Sequence, residues 1–251
     1  MAVSNYYYER LSNSGVFMGR TNIQAHGEIG GHRYVFVKLI GAAKDAFRAP
    51  TSGGRVLNPF KGNAKIFAGD FLEYNPGING EDGATVKILK SYVVASAVET
   101  SGTTVSIVRD GYKHIPFVGD NLMIAPDTLD GTGTAVTVTK VEKDTESGVD
   151  VWKLTLSGAI GEAAEGAVLV EAVEAGEGKQ AMVTNPNSYA QCDYDFLFTP
   201  SQDEDDEEGA RYMLTPFLAN DDTVMYIDRM SPIPPAVKAL NKSLVDGWFH
   251  L

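Results

Sequence analysis

The sequence predicts a mainly β protein, with an antiparallel β-barrel or sandwich at its centre, an extended N-terminal arm and one short C-terminal helix. Short segments in the middle of the chain alternate apolar and polar residues with a period of two, which is typical of strands with one buried face. Dipeptides that favour tight turns separate these segments. Hairpin connections are therefore expected in place of crossover helices.

The N-terminal arm is predicted to span residues 1–62 and to contain one strand at 33–40. Both faces of this strand are largely apolar, so at least part of it should be buried. The segment that follows, 47–55, has the proline and glycine content of a linker. A domain boundary near residue 62 is therefore expected.

The central β domain is predicted to span residues 63–175. Its alternating segments have one apolar and one polar face. Their apolar residues are Val86 and Ile88; Val105 and Ile107; Val136 and Val138; and Trp152, Leu154 and Leu156, with a further strand around Val168 to Val170. Turn dipeptides lie between them at Asn79-Gly80, Asp82-Gly83, Ser101-Gly102, Asp110-Gly111, Asp130-Gly131 and Ser147-Gly148.

The C-terminal segment, 176–251, is expected to be looser. Its acidic run starts at Asp203 and ends at Glu208, and charge repulsion predicts a solvated loop, with loose binding of divalent cations as the alternative. A strand is expected at 223–227. Pro235 suits the first turn of a short helix, an apolar stripe follows it, and Gly247 is well placed to end it.

The charge of the chain argues against a nucleic-acid partner. It has 33 acidic and 21 basic residues and a net charge of −12, which repels a polyanion. No membrane association is expected either, because residues 1–10 do not resemble a signal peptide and the longest apolar stretch, 34–43, is about half the roughly 20 residues of a membrane span. The sequence therefore predicts a soluble protein.

Motifs that would indicate an enzyme are missing from the sequence. It has no Gly-x-Ser-x-Gly nucleophile elbow, no phosphate-binding loop and no complete dinucleotide fingerprint. Cys192 is the only cysteine and is expected to be a small buried hydrophobe. The histidines, His26, His32, His114 and His250, lack the spacing of a zinc helix. We therefore expect no catalytic residues, no metal and no cofactor.

Two short segments of the sequence resemble each other. Residues 66–72 and 116–122 share an aromatic residue, a Gly-Asp pair and a following leucine. Either a duplicated subdomain or chance recurrence of a common turn explains this similarity. Asp70 and Asp120 are first of all turn residues, and a metal or acid–base role for the pair is the alternative.

Aromatic residues at both ends of the chain are the candidate partner-binding residues. Tyr6, Tyr7 and Tyr8 form a cluster that either anchors in a partner or packs on the protein's own sheet. Trp248 and Phe249, near the C-terminus, either pack into the protein's own core or dock on a neighbouring subunit.

The sequence resembles phage virion proteins, most closely the head auxiliary or head-fibre-base proteins of crAss-like gut phages. The residues that carry this resemblance are ARYMLTP at 210–216, the segment 226–243, GDNLMI at 119–124 and WKLTL at 152–156. The resemblance implies a protein on the outside of the capsid that stabilises the shell or carries head fibres. It also implies binding to the major capsid protein and other virion proteins, in many copies or as a homo-oligomer, with the host cytoplasm as the place of assembly.

Two other functions remain open from the sequence. A carbohydrate-binding or adhesin module would display clustered aromatic residues on one exposed sheet face. A virion-associated glycan hydrolase would use a pair of Asp or Glu residues whose spacing is set only in three dimensions.

Overall fold

A computed structural model describes residues 36–38, 54–62, 64–67, 69–77, 84–128, 130–190, 194–196, 213–214, 217–218, 223–226, 230–240 and 248–249. The predicted fold class is confirmed, because the protein is mainly β, its sheets are largely antiparallel and a short helix lies near the C-terminus. Tyr6, Tyr7, Tyr8, Cys192 and the acidic run at 203–208 lie outside the described residues.

The described strands and helix are short, apart from one long hairpin. They are β1 (Phe36–Lys38), β2 (Gly54–Val56), β3 (Ala64–Ile66), β4 (Phe71–Asn75), β5 (Thr85–Ile88), β6 (Ser91–Val93), β7 (Thr104–Val108), β8 (Asn121–Ile124), β9 (Thr132–Glu146), β10 (Val149–Leu156), β11 (Val168–Glu171), β12 (Gly176–Gln180), β13 (Ser188–Tyr189), β14 (Tyr194–Phe196), β15 (Met213–Leu214), β16 (Phe217–Leu218), β17 (Thr223–Tyr226), α1 (Pro235–Leu240) and β18 (Trp248–Phe249).

The largest sheet has seven antiparallel strands in the order β6-β11-β8-β9-β10-β7, with β12 paired to β9. Among the described residues its ladders do not close into a barrel, and a single bridge between Val94 and Ile107 joins the two ends of the path. The predicted sandwich is compatible with ladders that do not close. Tyr92, Leu122 and Leu154 belong to the apolar cluster that this sheet buries.

A second sheet has six strands in the order β15-β2-β5-β4-β13-β16. All of its pairs are antiparallel except β2 and β5, which run parallel. β2 lies before the expected boundary at residue 62, and it pairs with β5, which lies after it. Two small sheets, β1-β17-β18 and β3-β14, complete the described strands.

The two large sheets meet at a shared apolar cluster. This cluster combines Phe71 of the six-stranded sheet with Met123 and Val170 of the seven-stranded sheet. Val237 of α1 belongs to the same cluster. The short helix therefore packs where the sheets come together. It begins at Pro235, as the sequence predicts, and residues 241–247, including the predicted end at Gly247, lie outside the described residues.

The turn between β9 and β10 is the tight hairpin turn that the sequence predicts. Ser147 and Gly148 have φ angles of 52° and 83°, which suit a two-residue hairpin loop. The glycines of the other described turn dipeptides, Gly102, Gly111 and Gly131, do not have positive φ. They lie in longer connections between strands, where the chain can reverse direction without a left-handed residue.

The first of the two similar sequence segments forms a turn that leads into β4. The Asp70 N–H donates to the carbonyl of Phe67 at 3.0 Å, and the Asp70 carboxylate accepts the Phe67 N–H at 2.7 Å. Gly69 has a φ of 87°, and its N–H donates to the carbonyl of Ala190 at 2.9 Å. The aspartate thus closes the turn while the glycine fastens it to a neighbouring segment.

The second segment forms the same turn before β8. The Asp120 N–H donates to the carbonyl of Phe117 at 3.1 Å, and the Asp120 carboxylate accepts the Phe117 N–H at 2.8 Å. Gly119 has a φ of 88° and donates to the carbonyl of Val138 at 2.7 Å. The sequence similarity therefore corresponds to one turn geometry used twice, once in each large sheet.

Replacing Gly119 with alanine should destabilise the protein by about 1–2 kcal/mol, because an L-residue is strained at this positive φ. Gly158→Ala is the matched control, since Gly158 has no positive φ and a β-carbon there would lie 3.7 Å from Val136. Urea unfolding of the two variants measures the difference. Equal loss of stability in both variants would contradict a conformational role for Gly119.

Candidate functional site

A group of buried polar residues lies where the chain passes from the six-stranded sheet to the seven-stranded sheet. β5 ends at Ile88 in the first sheet and β6 begins at Ser91 in the second. Lys90 stands between them, and only 1% of its side chain is exposed. An ammonium group buried to this extent requires hydrogen-bonding partners, because its desolvation is costly.

Glu171 binds both the Lys90 ammonium and the Asn58 carboxamide. Lys90 Nζ donates to Glu171 Oε1 at 3.0 Å and to the carbonyl of Pro59 at 3.0 Å. Asn58 Nδ2 donates to the other oxygen, Glu171 Oε2, at 2.7 Å. The Phe60 ring covers the ammonium, with its centroid 5.0 Å from Nζ. We refer to Asn58, Lys90 and Glu171 as the Lys–Glu–Asn cluster.

The carboxamide of Asn58 is held from both ends by the backbone of one residue. Its Nδ2 donates to the carbonyl of Ile88 at 2.8 Å, and the N–H of Ile88 donates to its Oδ1 at 2.7 Å. Asn58 itself is 5% exposed. These contacts fix the orientation of the carboxamide, with its nitrogen directed at Glu171 and its oxygen on a backbone donor.

Burial raises the pKa of Glu171 above its ordinary value, and the nearby carboxylate of Asp120 adds to this shift. The ammonium of Lys90 and the hydrogen bonds from Lys90 and Asn58 act in the opposite direction without offsetting the burial. Glu171 is therefore a carboxyl group that holds a proton more readily than an exposed glutamate does.

His114 and Asp70 form a second buried polar pair beside the cluster. The Ser91 N–H donates to His114 Nδ1 at 3.3 Å, which places the imidazole proton on Nε2. That proton is donated to Asp70 Oδ2 at 2.9 Å. The rings of Phe60 and Phe67 pack around the imidazole. His114 is thus a hydrogen-bonded core residue, and Asp70 binds both its own turn and the imidazole.

Asp120 is the counterpart of Asp70, but its other partner lies near the surface. Lys61 Nζ lies 3.6 Å from Asp120 Oδ1, and the Lys61 side chain is 47% exposed. Each aspartate is thus engaged in its own turn and has a separate side-chain partner. Among the described residues, no three His, Cys, Asp or Glu side chains are arranged to hold a metal ion.

A pocket opens beside the Lys–Glu–Asn cluster, between α1 and the two sheets. It encloses about 370 Å³, part of which is open to solvent. Lys90 and Glu171 contribute to its wall together with Leu89, Val170, Val183 and Val237. The cluster therefore lies at the boundary between the close-packed interior and a space that is partly open to solvent.

The long hairpin offers a different kind of site, an open sheet edge. β8, the turn before it and β12 bond only to the first part of β9, up to Val138. Among the described strands, β9 beyond that point has β10 as its single neighbour. Glu146 and Val149 flank the two-residue turn and form the first hydrogen-bonded pair of the hairpin. Hydrogen-bonded and non-hydrogen-bonded pairs then alternate, so every second residue of β9, including Lys143, directs its backbone N–H and C=O groups away from β10.

Two of the predicted partner-binding residues lie in a described strand. Trp248 and Phe249 form β18, which pairs in parallel with β17 through Met225 and Tyr226. Their side chains lie outside what the structure describes. Their predicted role in partner binding therefore stays a prediction, as does that of Tyr6, Tyr7 and Tyr8.

The sequence interpretation missed the Lys–Glu–Asn cluster. Asn58 and Glu171 are 113 residues apart, and Lys90 and Glu171 are 81 apart. One local signal was available, because Lys90 interrupts an apolar run and Glu171 ends another. A charge within a buried segment requires a partner, but the sequence does not say which one.

No helix among the residues that the structure describes has the length and apolar character needed to cross a membrane.

Asp70→Ala should destabilise the protein more than Asp120→Ala, by about 1–3 kcal/mol, the cost of one further buried donor left without an acceptor. Both variants lose the bond to their turn, but Asp70→Ala also removes the acceptor of the buried His114 Nε2–H. In Asp120→Ala the partly exposed ammonium of Lys61 can be solvated by water, so no buried donor is left without an acceptor. Chemical denaturation of the two variants tests this order, and a larger loss in Asp120→Ala would contradict the assignment.

Replacing Lys90 with methionine should make stability fall as the pH rises. This change removes the cation that lowers the pKa of Glu171, so the folded-state pKa rises further above its ordinary value of 4.5. Protonated Glu171 then favours the folded state at low pH, and this contribution is lost as the pH rises through the folded-state pKa. The slope should reach at most about 1.4 kcal/mol per pH unit.

The double variant Lys90→Met/Glu171→Gln is the control for this pH dependence. It carries no titrating group at position 171, so its stability should lack the fall attributed to Glu171. Denaturant titrations of both proteins from acidic to neutral pH give the difference. Parallel pH profiles would contradict a raised pKa for Glu171.

Comparison with protein-family models, curated proteins and solved structures finds no match to this chain. The functional interpretation therefore rests on the contacts and charges described above, together with the resemblance noted in the sequence.

Proposed function

We propose that this chain is a structural protein of a phage virion, which decorates the outside of the capsid by binding the major capsid protein. Stabilisation of the shell, or support of head fibres, is the role that the resemblance to head auxiliary proteins implies. The observation that carries the proposal is the open edge of β9, because an exposed sheet edge can accept a strand from another chain.

The backbone of this edge is suited to pairing with a second protein. Residues Val141 and Lys143 direct backbone groups away from β10, so these groups are available for strand addition. Thr145 also faces outward, but its N–H is bound by the side chain of Asp144 at 2.8 Å. A partner strand would therefore pair with the middle of the open edge and end near Asp144.

The charges along the edge favour a selective contact. Lys140, Glu142, Lys143 and Asp144 are exposed, and such charges keep an open edge from pairing with arbitrary strands. A partner has to bring complementary charges, which gives specificity. The net charge of −12 also favours the outer surface of a shell over its DNA-filled interior.

Lys143→Pro should weaken binding to assembled shells by about tenfold or more, because proline removes an outward-facing backbone donor and interferes with the partner strand. Proline is tolerated on an edge strand, and this N–H makes no bond to β10. The measurement is co-sedimentation of the purified chain with shells of the major capsid protein encoded in the same genome.

Lys143→Ala is the matched control. It removes the ammonium that lies 5.5 Å from the Trp152 ring but keeps the backbone donor, so it should lose much less shell binding than Lys143→Pro does. Equal binding by all three proteins would rule out the open edge as the contact. Failure of the natural chain to sediment with shells would overturn the proposed function. Binding to isolated glycans would favour the adhesin alternative.

A further inference from the structure

We propose that Lys90 and Asn58 form an intramolecular amide bond, an isopeptide, in a reaction assisted by Glu171. The inference rests on the meeting of three side chains in one buried site: an amine, a primary carboxamide and a carboxyl group. An amine is a nucleophile, a carboxamide carbon is an electrophile, and a carboxyl group that contacts both can transfer protons between them.

The hydrogen bonds bring both reacting groups to one carboxylate. Lys90 Nζ and Asn58 Nδ2 are bound to the two oxygens of one carboxylate, at 3.0 and 2.7 Å. Lys90 and Asn58 are 1% and 5% exposed, so neither side chain is free to move away. Such positioning replaces an encounter between two free groups by a reaction within one site, which is a large part of many rate enhancements.

The backbone supplies stabilisation for the intermediate. When Nζ adds to Asn58 Cγ, negative charge develops on Oδ1, which already accepts the N–H of Ile88 at 2.7 Å. A backbone donor aimed at a developing oxyanion lowers the barrier to acyl transfer. The carboxamide therefore has a donor on its oxygen and a carboxyl group on its nitrogen, which is the arrangement that its cleavage requires.

Glu171 can carry the protons that have to move from Lys90 Nζ to Asn58 Nδ2. The Lys90 ammonium gives one proton to the Glu171 carboxylate, and the neutral Nζ adds to Asn58 Cγ. Glu171 then passes its proton to Nδ2 and takes another from Nζ, the Cγ–Nδ2 bond breaks, and ammonia leaves. The products are a Nζ–Cγ amide, one ammonia and a protonated Glu171, so no oxidant or other reactant is needed.

The surroundings favour both the product and the release of ammonia. The reaction leaves Glu171 neutral, the form that burial of this carboxyl group favours. It also replaces a buried ion pair by an uncharged amide, which removes a desolvation cost. The pocket beside Lys90 and Glu171 is partly open to solvent and gives ammonia a path out.

Intact-mass spectrometry of the purified full chain under denaturing conditions tests the proposal. We expect a mass lower by one ammonia than the sequence requires, and a proteolytic peptide pair joined through Asn58 and Lys90. A succinimide at Asn79-Gly80 would also lose one ammonia, so the joined peptides are the decisive evidence. The full mass after prolonged incubation of the folded chain would overturn the proposal.

Variants separate this chemistry from a merely structural role of the cluster. Glu171→Gln and Lys90→Arg should both keep the full mass. Asn58→Asp should lose water in place of ammonia and reach the same final mass as the bonded natural chain. Lys87→Met is the matched control three residues earlier in the chain, since Lys87 forms a partly exposed pair with Glu73, and this variant should still lose ammonia. Joined peptides in Glu171→Gln would exclude Glu171 as the proton carrier.

Discussion

The buried carboxylate of Glu171 has to be compensated by Lys90 and Asn58, and this constraint joins the seven-stranded sheet to the segment beside β2 and β5. Lys90 follows β5 of the six-stranded sheet, and Glu171 ends β11 of the seven-stranded sheet. Removing either partner would leave a buried charge without compensation, which is far more costly than losing an exposed ion pair. The apolar cluster that both sheets share lies beside this contact and includes Leu89 and Val170. Apolar packing and the buried ion pair thus lie side by side where the two sheets meet.

The polar groups around this contact are bound to neighbouring groups of the protein itself. Asp70 binds a turn and an imidazole, Asp120 binds a turn and faces a lysine, and His114 is hydrogen-bonded on both nitrogens. These contacts close turns and satisfy buried hydrogen-bonding groups, so they account for the positions of the three residues. The surface, by contrast, offers extended backbone along β9, which is suited to association with another chain.

The fold class follows from local patterns in the sequence, because period-two alternation and turn dipeptides act within a few residues. The start of α1 at Pro235 and the Ser147-Gly148 hairpin are local in the same sense. The parallel pairing of β2 with β5 and the Lys–Glu–Asn cluster were beyond such patterns, since they join segments that are distant in the chain. The similar segments around Asp70 and Asp120 were visible in the sequence, but the side-chain partners of the two aspartates, His114 and Lys61, were not, because tertiary contacts determine them.

The use of one turn geometry in both large sheets has a consequence for how the chain folds. Each turn closes through hydrogen bonds between residues three apart, Phe67 with Asp70 and Phe117 with Asp120, so little loop-closure entropy opposes it. The hydrogen bonds from Asn58 and Lys90 to Glu171 join residues that are far apart in the sequence, so we expect them to form after the two turns. We expect two early nuclei, one per sheet, that dock in a slower step, and pulse-labelled amide exchange would detect protection of Phe67 and Phe117 before that of Ile88.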